Sequence, residues 1–244
     1  MTNEKRDKVY ANKKDMIVDF VFDETVANVF PDMIRRSVPG YDAIITHLGL
    51  FARQYARPNT NLYDLGCSTG AATLALRRQV QVDGCNIIAV DNAQAMVESC
   101  QTNIAKDTSP IPVHVQCADI QDITIENASV IVLNFTLQFI QPYKRRIMLE
   151  KIYNGMIDGG VLVLSEKLVF NDSEKQQFVD NMHMAYKKAN GYSDLEISQK
   201  RTALEKVLIP DTMSTHIQRL EEIGFKQIYP WFRCFNFAAL CAVK

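Results

Sequence analysis

The chain is 244 residues long and 47% hydrophobic, which suits one globular domain with a sizeable core and excludes a disordered protein. Its 27 Lys and Arg stand against 28 Asp and Glu, for a net charge of -1. That balance gives no field for nucleic acid, whose non-specific affinity comes from neutralised phosphates, so a small molecule is the expected ligand.

The opening stretch, MTNEKRDKVYANKKDM, is charged and holds no apolar segment of signal-peptide length. No later run reaches the roughly 18 apolar residues of a membrane span, so no membrane association is expected. The cysteines Cys67, Cys85, Cys100, Cys117, Cys234 and Cys241 form no CxxC pair and fall in or beside elements expected to be buried. They read as free structural thiols of a reducing, cytoplasmic compartment. His47, His114, His183 and His216 lack metal-ligand spacing, and no metal is expected.

Residues 1–60 are expected to form a helical cap, with one helix in DETVANVFPDMIRRSVPG, broken at Pro31 or Pro39, and a second in YDAIITHLGLFARQYA. The core follows at 61–170, where NLYDL, NIIAVD, VHVQC, SVIVLNF and GVLVLSEKL alternate with helical stretches. Their mostly unbroken apolar character suits strands buried on both faces of a parallel sheet. A helical insert spans 171–224, with N-caps expected at Ser173, Ser193 and Asp211 and helix stops at Gly191 and Gly224. The last two runs, FKQIYPWFRC and FNFAALCAVK in 225–244, are so close that only an antiparallel hairpin can join them. Together these features give a single α/β domain. Its sheet is doubly wound, mostly parallel, seven-stranded and Rossmann-like, of the methyltransferase-like kind that ends in such a hairpin.

In an open parallel sheet the ligand lies beyond the carboxyl ends of the strands. The first strand end leads through Gly66, Cys67, Ser68, Thr69 and Gly70 into an alanine-rich helix. This is not a GxGxxG fingerprint, because Ser68 stands where the second glycine would be, and no Lys or Arg is present in the turn to neutralise phosphate. Asp64 precedes the turn, and Asp91 ends the second strand, where a carboxylate can accept both ribose hydroxyls. Asp119 follows the third strand, placed to accept from an adenine amino group while the Ile120 amide donates to a ring nitrogen, and Asn134 ends the fourth. An adenosine without phosphates meets these requirements, and S-adenosylmethionine is the expected ligand; Ser68 and the terminal hairpin disfavour NAD. Asp64 as an acceptor for loop amides and Asn134 as a turn former are the structural alternatives.

In SDLEISQKRTALEKVL, Ser193 and Glu196 have capping-box spacing, which sets the helix register. Ile197, Arg201, Leu204 and Leu208 then share one apolar face, with Lys200, Glu205 and Lys206 expected at solvent. A guanidinium turned inward needs an anion, supplied by a ligand or by an internal carboxylate.

Taken with VFDETVANVFPDMIRRSVPGY, YDLGCSTGAAT, VLNFTLQFI, ANGYSDLEISQKR and WFRCFNFAALCAVK, these features make the chain resemble, nearly end to end, the carboxy-S-adenosylmethionine synthase family. The resemblance implies conversion of S-adenosylmethionine and prephenate into carboxy-S-adenosylmethionine and phenylpyruvate. The product would feed wobble-uridine modification by a partner enzyme, a tRNA carboxymethyl transferase. It further implies that Tyr41, Gly66, Cys67, Ser68, Asp91, Asn92, Asp119, Ile120 and Asn134 hold the adenosylmethionine. Arg201 would bind the added carboxylate and stabilise it as it forms, in a cytoplasmic homodimer that touches no tRNA itself. Two other readings of the same residues stay open: a methyltransferase acting on a small acidic metabolite, and a non-catalytic, cofactor-bound partner of a tRNA-modifying enzyme.

Overall fold

The computed structural model describes residues 5–14 and 16–244, so the first four residues of the expected cap and Asp15 lie outside the described part. The apolar runs become β1 (Asn61–Leu65), β2 (Asn86–Asp91), β3 (Val113–Cys117), β4 (Ala128–Asn134) and β5 (Met156–Lys167), all parallel where they pair. β6 (Gln227–Cys234) and β7 (Phe237–Val243) complete a seven-stranded sheet of order β3-β2-β1-β4-β5-β7-β6, with β7 antiparallel to both its neighbours. The order reverses between β1 and β4, and the crevice at such a switch point is where α/β sheets bind ligands.

Burial on two faces holds for the central strands. Alternation along β4 turns Ile131 and Leu133 toward α6 (Pro142–Gly155) and α9 (Met213–Ile223), and Val130 and Val132 toward α3 (Tyr41–Tyr55) and α4 (Ala71–Arg77). Each fully buried side chain of this size contributes about 1.5–3 kcal/mol of transfer free energy. The edges differ: β3 alternates, and its Cys117 is exposed, so that thiol is not the buried one expected from sequence.

The helical segments form for local reasons, some of them different from those read in the sequence. Before the sheet lie α1 (Glu24–Ala27), α2 (Phe30–Ser37) and α3. The break falls at Asn28 and Val29, ahead of both prolines; Pro31 lies in the first turn of α2, where its missing N–H costs nothing, and Pro39 follows that helix. α3 packs on the sheet through Ile44, Leu48 and Ala52. After β2 comes α5 (Gln94–Ala105), and after β5 the insert supplies α7 (Ser173–Ala189), α8 (Asp194–Leu204) and α9. Ser193 and Glu196 do form a capping box on α8. α7 is capped by Asp172 rather than Ser173, its carboxylate accepting from the amides of Glu174 and Lys175. α9 is capped by Thr212 rather than Asp211, because the Asp211 carboxylate is already taken by Arg145 at 2.7 Å and Arg219 at 2.8 Å. Gly191 and Gly224 follow α7 and α9 with φ of 83° and 121°, a region open to glycine.

Residues 7–14 and Phe20 lie against α8: Gln199 Nε2 donates to the carbonyls of Tyr10 and Asn12, its Oε1 accepts from the Lys14 amide, and the Phe20 amide donates to the Ala203 carbonyl. Cap and insert therefore make one roof over the strand ends. Among the described residues no helix is long and apolar enough to cross a membrane.

Beside the roof, fully buried Arg145 donates to the carbonyls of Ile140, Gln138 and Ile209 as well as to Asp211. Arg145→Ala strands those acceptors and half of the Asp211 pairing. Urea denaturation is expected to show a loss of about 3–5 kcal/mol, the range for breaking a buried ion pair from one side.

Candidate functional site

A cavity of about 450 Å³ lies between the strand ends and the roof. The structure brings Tyr41, Gly66, Cys67, Ser68, Asp91, Asn92, Asp119, Ile120, Asn134 and Arg201 together on its wall.

The turn after β1 is shaped by its protein neighbours. Gly66 and Gly70 have φ of 86° and 89°, and Ser68 has φ 49°. A Cβ on Gly66 would overlap the Thr136 side chain, and one on Gly70 would lie 2.8 Å from Cys100 Sγ. Both glycines thus answer close approach by this chain's own atoms. Hydrogen bonding to Cys100, followed by burial, pushes the Cys67 thiol up, so it stays protonated. Asp91 Oδ2 accepts from the Ser68 amide at 2.8 Å and Oδ1 from the Ala93 amide at 3.0 Å. One carboxylate therefore locks the turn after β1 to the turn after β2, with further lone pairs available to a ribose. Burial raises the Asp91 carboxyl, opposed by the amides of Ala93, Ser68 and Asn92. Asp119 accepts from the Gln121 amide at 2.8 Å.

Two buried acceptors on this wall lack a donor among the described residues: Oδ1 of Asp64 and Oδ1 of Asn134. Asp64 Oδ2 accepts from Thr73 Oγ1 at 2.6 Å, so Asp64 holds the first turn of α4 through a hydroxyl and keeps an unmatched oxygen. Burying an acceptor unmet is costly, and a ligand ammonium would meet it. Burial also raises the Tyr41 hydroxyl, with Asp64 adding to the shift.

The roof supplies residues the sequence reading missed. Phe20, Phe22, Phe30 and Phe139 line the cavity, with Phe22 edge-on to the other three rings at centroid distances of 5.0, 6.1 and 5.5 Å. Asp180, His183, Met184 and Lys187 line it from α7. Their i, i+3, i+4, i+7 spacing was a readable signal once that helix had a register.

On α8 the expected sidedness is corrected. Lys200 is buried, donating to Ser37 Oγ at 3.0 Å with Asp7 at 4.0 Å, because the N-terminal segment covers the face expected at solvent. Arg201 borders the cavity with Ile197, Leu204 and Leu208, yet it is exposed, and so is Glu205, which also borders the cavity. The helix ends at Leu204, so Leu208 reaches this wall through the following turn. The cavity has two poles: Asp64, Asp91 and Asp119 at the ends of β1 to β3, and, from β5, α7 and α8, the cations Lys167, Lys187, Lys200 and Arg201, which outnumber Asp180 and Glu205 beside them. Among the described residues no group of three or more His, Cys, Asp or Glu could hold a metal ion.

Fold and turn define a class. Residues 62–160 match the methyltransferase domain family. The apo S-adenosylmethionine-dependent methyltransferase SibL superposes with a TM-score of 0.65 at 14% identity, covering 91% of this chain and 58% of that one. A putative S-adenosyl-L-methionine-dependent methyltransferase from Methanococcus maripaludis gives a TM-score of 0.60 at 20% identity, covering 96% and 95%. The particular family comes from closer relatives. The carboxy-S-adenosyl-L-methionine synthase of Shewanella frigidimarina is 54% identical over 242 residues, 99% of this chain and 100% of that protein. The enzyme of that name from Aliivibrio fischeri is 53% identical over 238 residues, 98% of each chain. The chain belongs to the carboxy-S-adenosyl-L-methionine synthase family, S-adenosylmethionine-using enzymes on a methyltransferase-like fold.

The Asp64 carboxyl, raised by burial to about 6 against the opposing Thr73 hydrogen bonds, carries a pH signature. Its folded value lies above the unfolded value of 3.8, so its contribution to stability is fully present below 3.8 and is lost as pH rises to about 6. In denaturant titrations of the ligand-free protein, wild type minus Asp64→Asn is expected to decline by about 2–3 kcal/mol across that window.

Proposed function

We propose that this chain converts S-adenosyl-L-methionine and prephenate into carboxy-S-adenosyl-L-methionine and phenylpyruvate. The carboxyl lost from the prephenate ring as carbon dioxide becomes the new carboxylate, and the ring hydroxyl leaves with the displaced methyl proton as water. The product serves a tRNA carboxymethyl transferase that modifies wobble uridine. The chain works in the cytoplasm as a homodimer and makes no contact with tRNA.

The single observation that carries this reading is the placement of Arg201 at the cationic pole of a cavity whose opposite pole is built from strand-end carboxylates. S-adenosylmethionine supplies a sulfonium that acidifies its own methyl group. Asp91 accepts from the ribose hydroxyls, Asp119 and the Ile120 amide take the adenine edge, and the unmatched oxygens of Asp64 and Asn134 receive the ammonium. Tyr41, Gly66, Cys67, Ser68 and Asn92 enclose the nucleoside and its tail. The phenylalanine rings give the cavity an apolar wall, and Arg201, exposed at its border, supplies a guanidinium to pair with the developing carboxylate. His183 offers no competing base: burial first, then Lys187 and Lys167, hold its ring at about 3, and Nε2 donates to the Ser37 carbonyl at 2.8 Å.

Arg201→Ala is expected to weaken carboxy-S-adenosylmethionine binding by roughly 10- to 100-fold while leaving S-adenosylmethionine binding within about twofold, read by calorimetry. Equal losses for both ligands would overturn the role given to Arg201. Labelled methyl passing to an acidic acceptor, with no carboxylated nucleoside formed, would favour an ordinary methyltransferase instead.

A further inference from the structure

Two ammonium groups in the cavity have no work in this scheme. Lys167 ends β5, and Lys187 completes the inward stripe of α7; both line the cavity and both are half-buried. Among the described residues neither ε-ammonium has a carboxylate at ion-pair distance or a hydrogen-bond acceptor. The acid nearest in charge, Asp180, has Oδ2 engaged by Gln176 Nε2 at 2.9 Å. Lys200, by contrast, is served by Ser37 and Asp7.

The lysines also press on one another. Burial lowers Lys187 to about 7, with Lys200, Lys167 and Arg201 adding to the shift and Asp180 opposing it. Burial lowers Lys167 as well, with Asp180 opposing and Arg201 adding. His183, held neutral by burial and donating through Nε2 to the Ser37 carbonyl, brings them no negative charge. Cations drawn partly out of water with Asp180 as their shared counter-charge are incompletely compensated, and an anion entering the cavity lowers that cost. Arg201 can serve one carboxylate; the two lysines are arranged to serve another.

We infer that Lys167 and Lys187 form a second carboxylate subsite, so that the cavity accepts a dianionic dicarboxylate substrate. On the prephenate reading, on which this assignment rests, the pair holds the 2-oxo acid carboxylate that stays with phenylpyruvate, while Arg201 takes the carboxylate that is transferred. The lysines then fix which of the substrate's two carboxylates faces the sulfonium methyl.

Phenylpyruvate retains only the second carboxylate and so separates the two subsites. Lys167→Gln, Lys187→Gln and Lys187→Arg are to be titrated with phenylpyruvate in the presence of S-adenosylmethionine and assayed for prephenate turnover. Each Gln variant is expected to raise the phenylpyruvate Kd and the prephenate KM by roughly 10- to 100-fold, with S-adenosylmethionine binding within about twofold of wild type. Its Tm should equal or exceed that of wild type, because a self-repelling charge is gone, and Lys187→Arg should recover most of the binding. Arg201→Ala should bind phenylpyruvate as wild type does. Gln variants that bind phenylpyruvate normally while wild type consumes prephenate would overturn the subsite and leave the function standing. A lowered Tm without rescue by Arg would make the lysines structural and overturn it too. Wild-type protein that ignores both compounds would contradict the prephenate reading itself.

Discussion

Charge taken out of water must be paired, and this constraint shapes the cavity more than any other. The acids ending β1 to β3 and the four cations of β5, α7 and α8 do not neutralise one another across the cavity; each pole is held by its own local arrangement. Asp91 is fixed by the amides of Ser68 and Ala93, Asp64 by Thr73, and Lys200 by Ser37 and Asp7. Oxygens of Asp64 and Asn134, the ammonium groups of Lys167 and Lys187 and the Arg201 guanidinium are left for a ligand carrying both signs. A zwitterionic, sulfonium-bearing nucleoside beside an acid has that charge pattern.

The roof makes this possible because it is one unit assembled from distant segments. Besides the Gln199 contacts, Tyr192 donates to Asp7 and Arg36 donates to the Asn190 carbonyl. Arg36 also lies over the Tyr192 ring at 3.9 Å from its centroid. The Arg145 cluster joins the backbone at 138–140 to residues 209–211, tying the lower edge of the insert to the loop after β4. Burial pushes Glu166 up to about 8, opposed by Arg145 and by the amides of Leu137 and Gln138 that it accepts, so the same cluster also orders the turn carrying Phe139. Rings that line the cavity are therefore set by hydrogen bonds outside it.

Much of this was legible in the sequence wherever local chemistry decides the outcome. Unbroken apolar runs marked β1, β4 and β5, the short gap after Cys234 forced a hairpin, and Ser193 with Glu196 capped α8. Aspartates and an asparagine following strands converge because parallel strands end on one side of a sheet. What failed to read depended on partners far away in the chain. Lys200 turned inward because residues 7–14 cover its side of α8, and Asp211 could not cap α9 because two arginines had claimed it. Gly66 and Gly70 stand out in the sequence, but Thr136 and Cys100, the side chains that crowd them, lie too far along the chain to be read there. Lys167 and Lys187 gave no signal alone, since a lysine at a strand end or in a helix most often faces solvent.

The central claim is that a carboxyl group leaves one substrate and arrives on the sulfonium methyl beside Arg201. The most direct measurement is to incubate the protein with S-adenosylmethionine and prephenate isotopically labelled at the ring carboxylate, denature it, and weigh the nucleoside released. The account predicts S-adenosylmethionine heavier by one carbon dioxide, with the label inside the added mass. Unmodified S-adenosylmethionine in the presence of intact prephenate would contradict it.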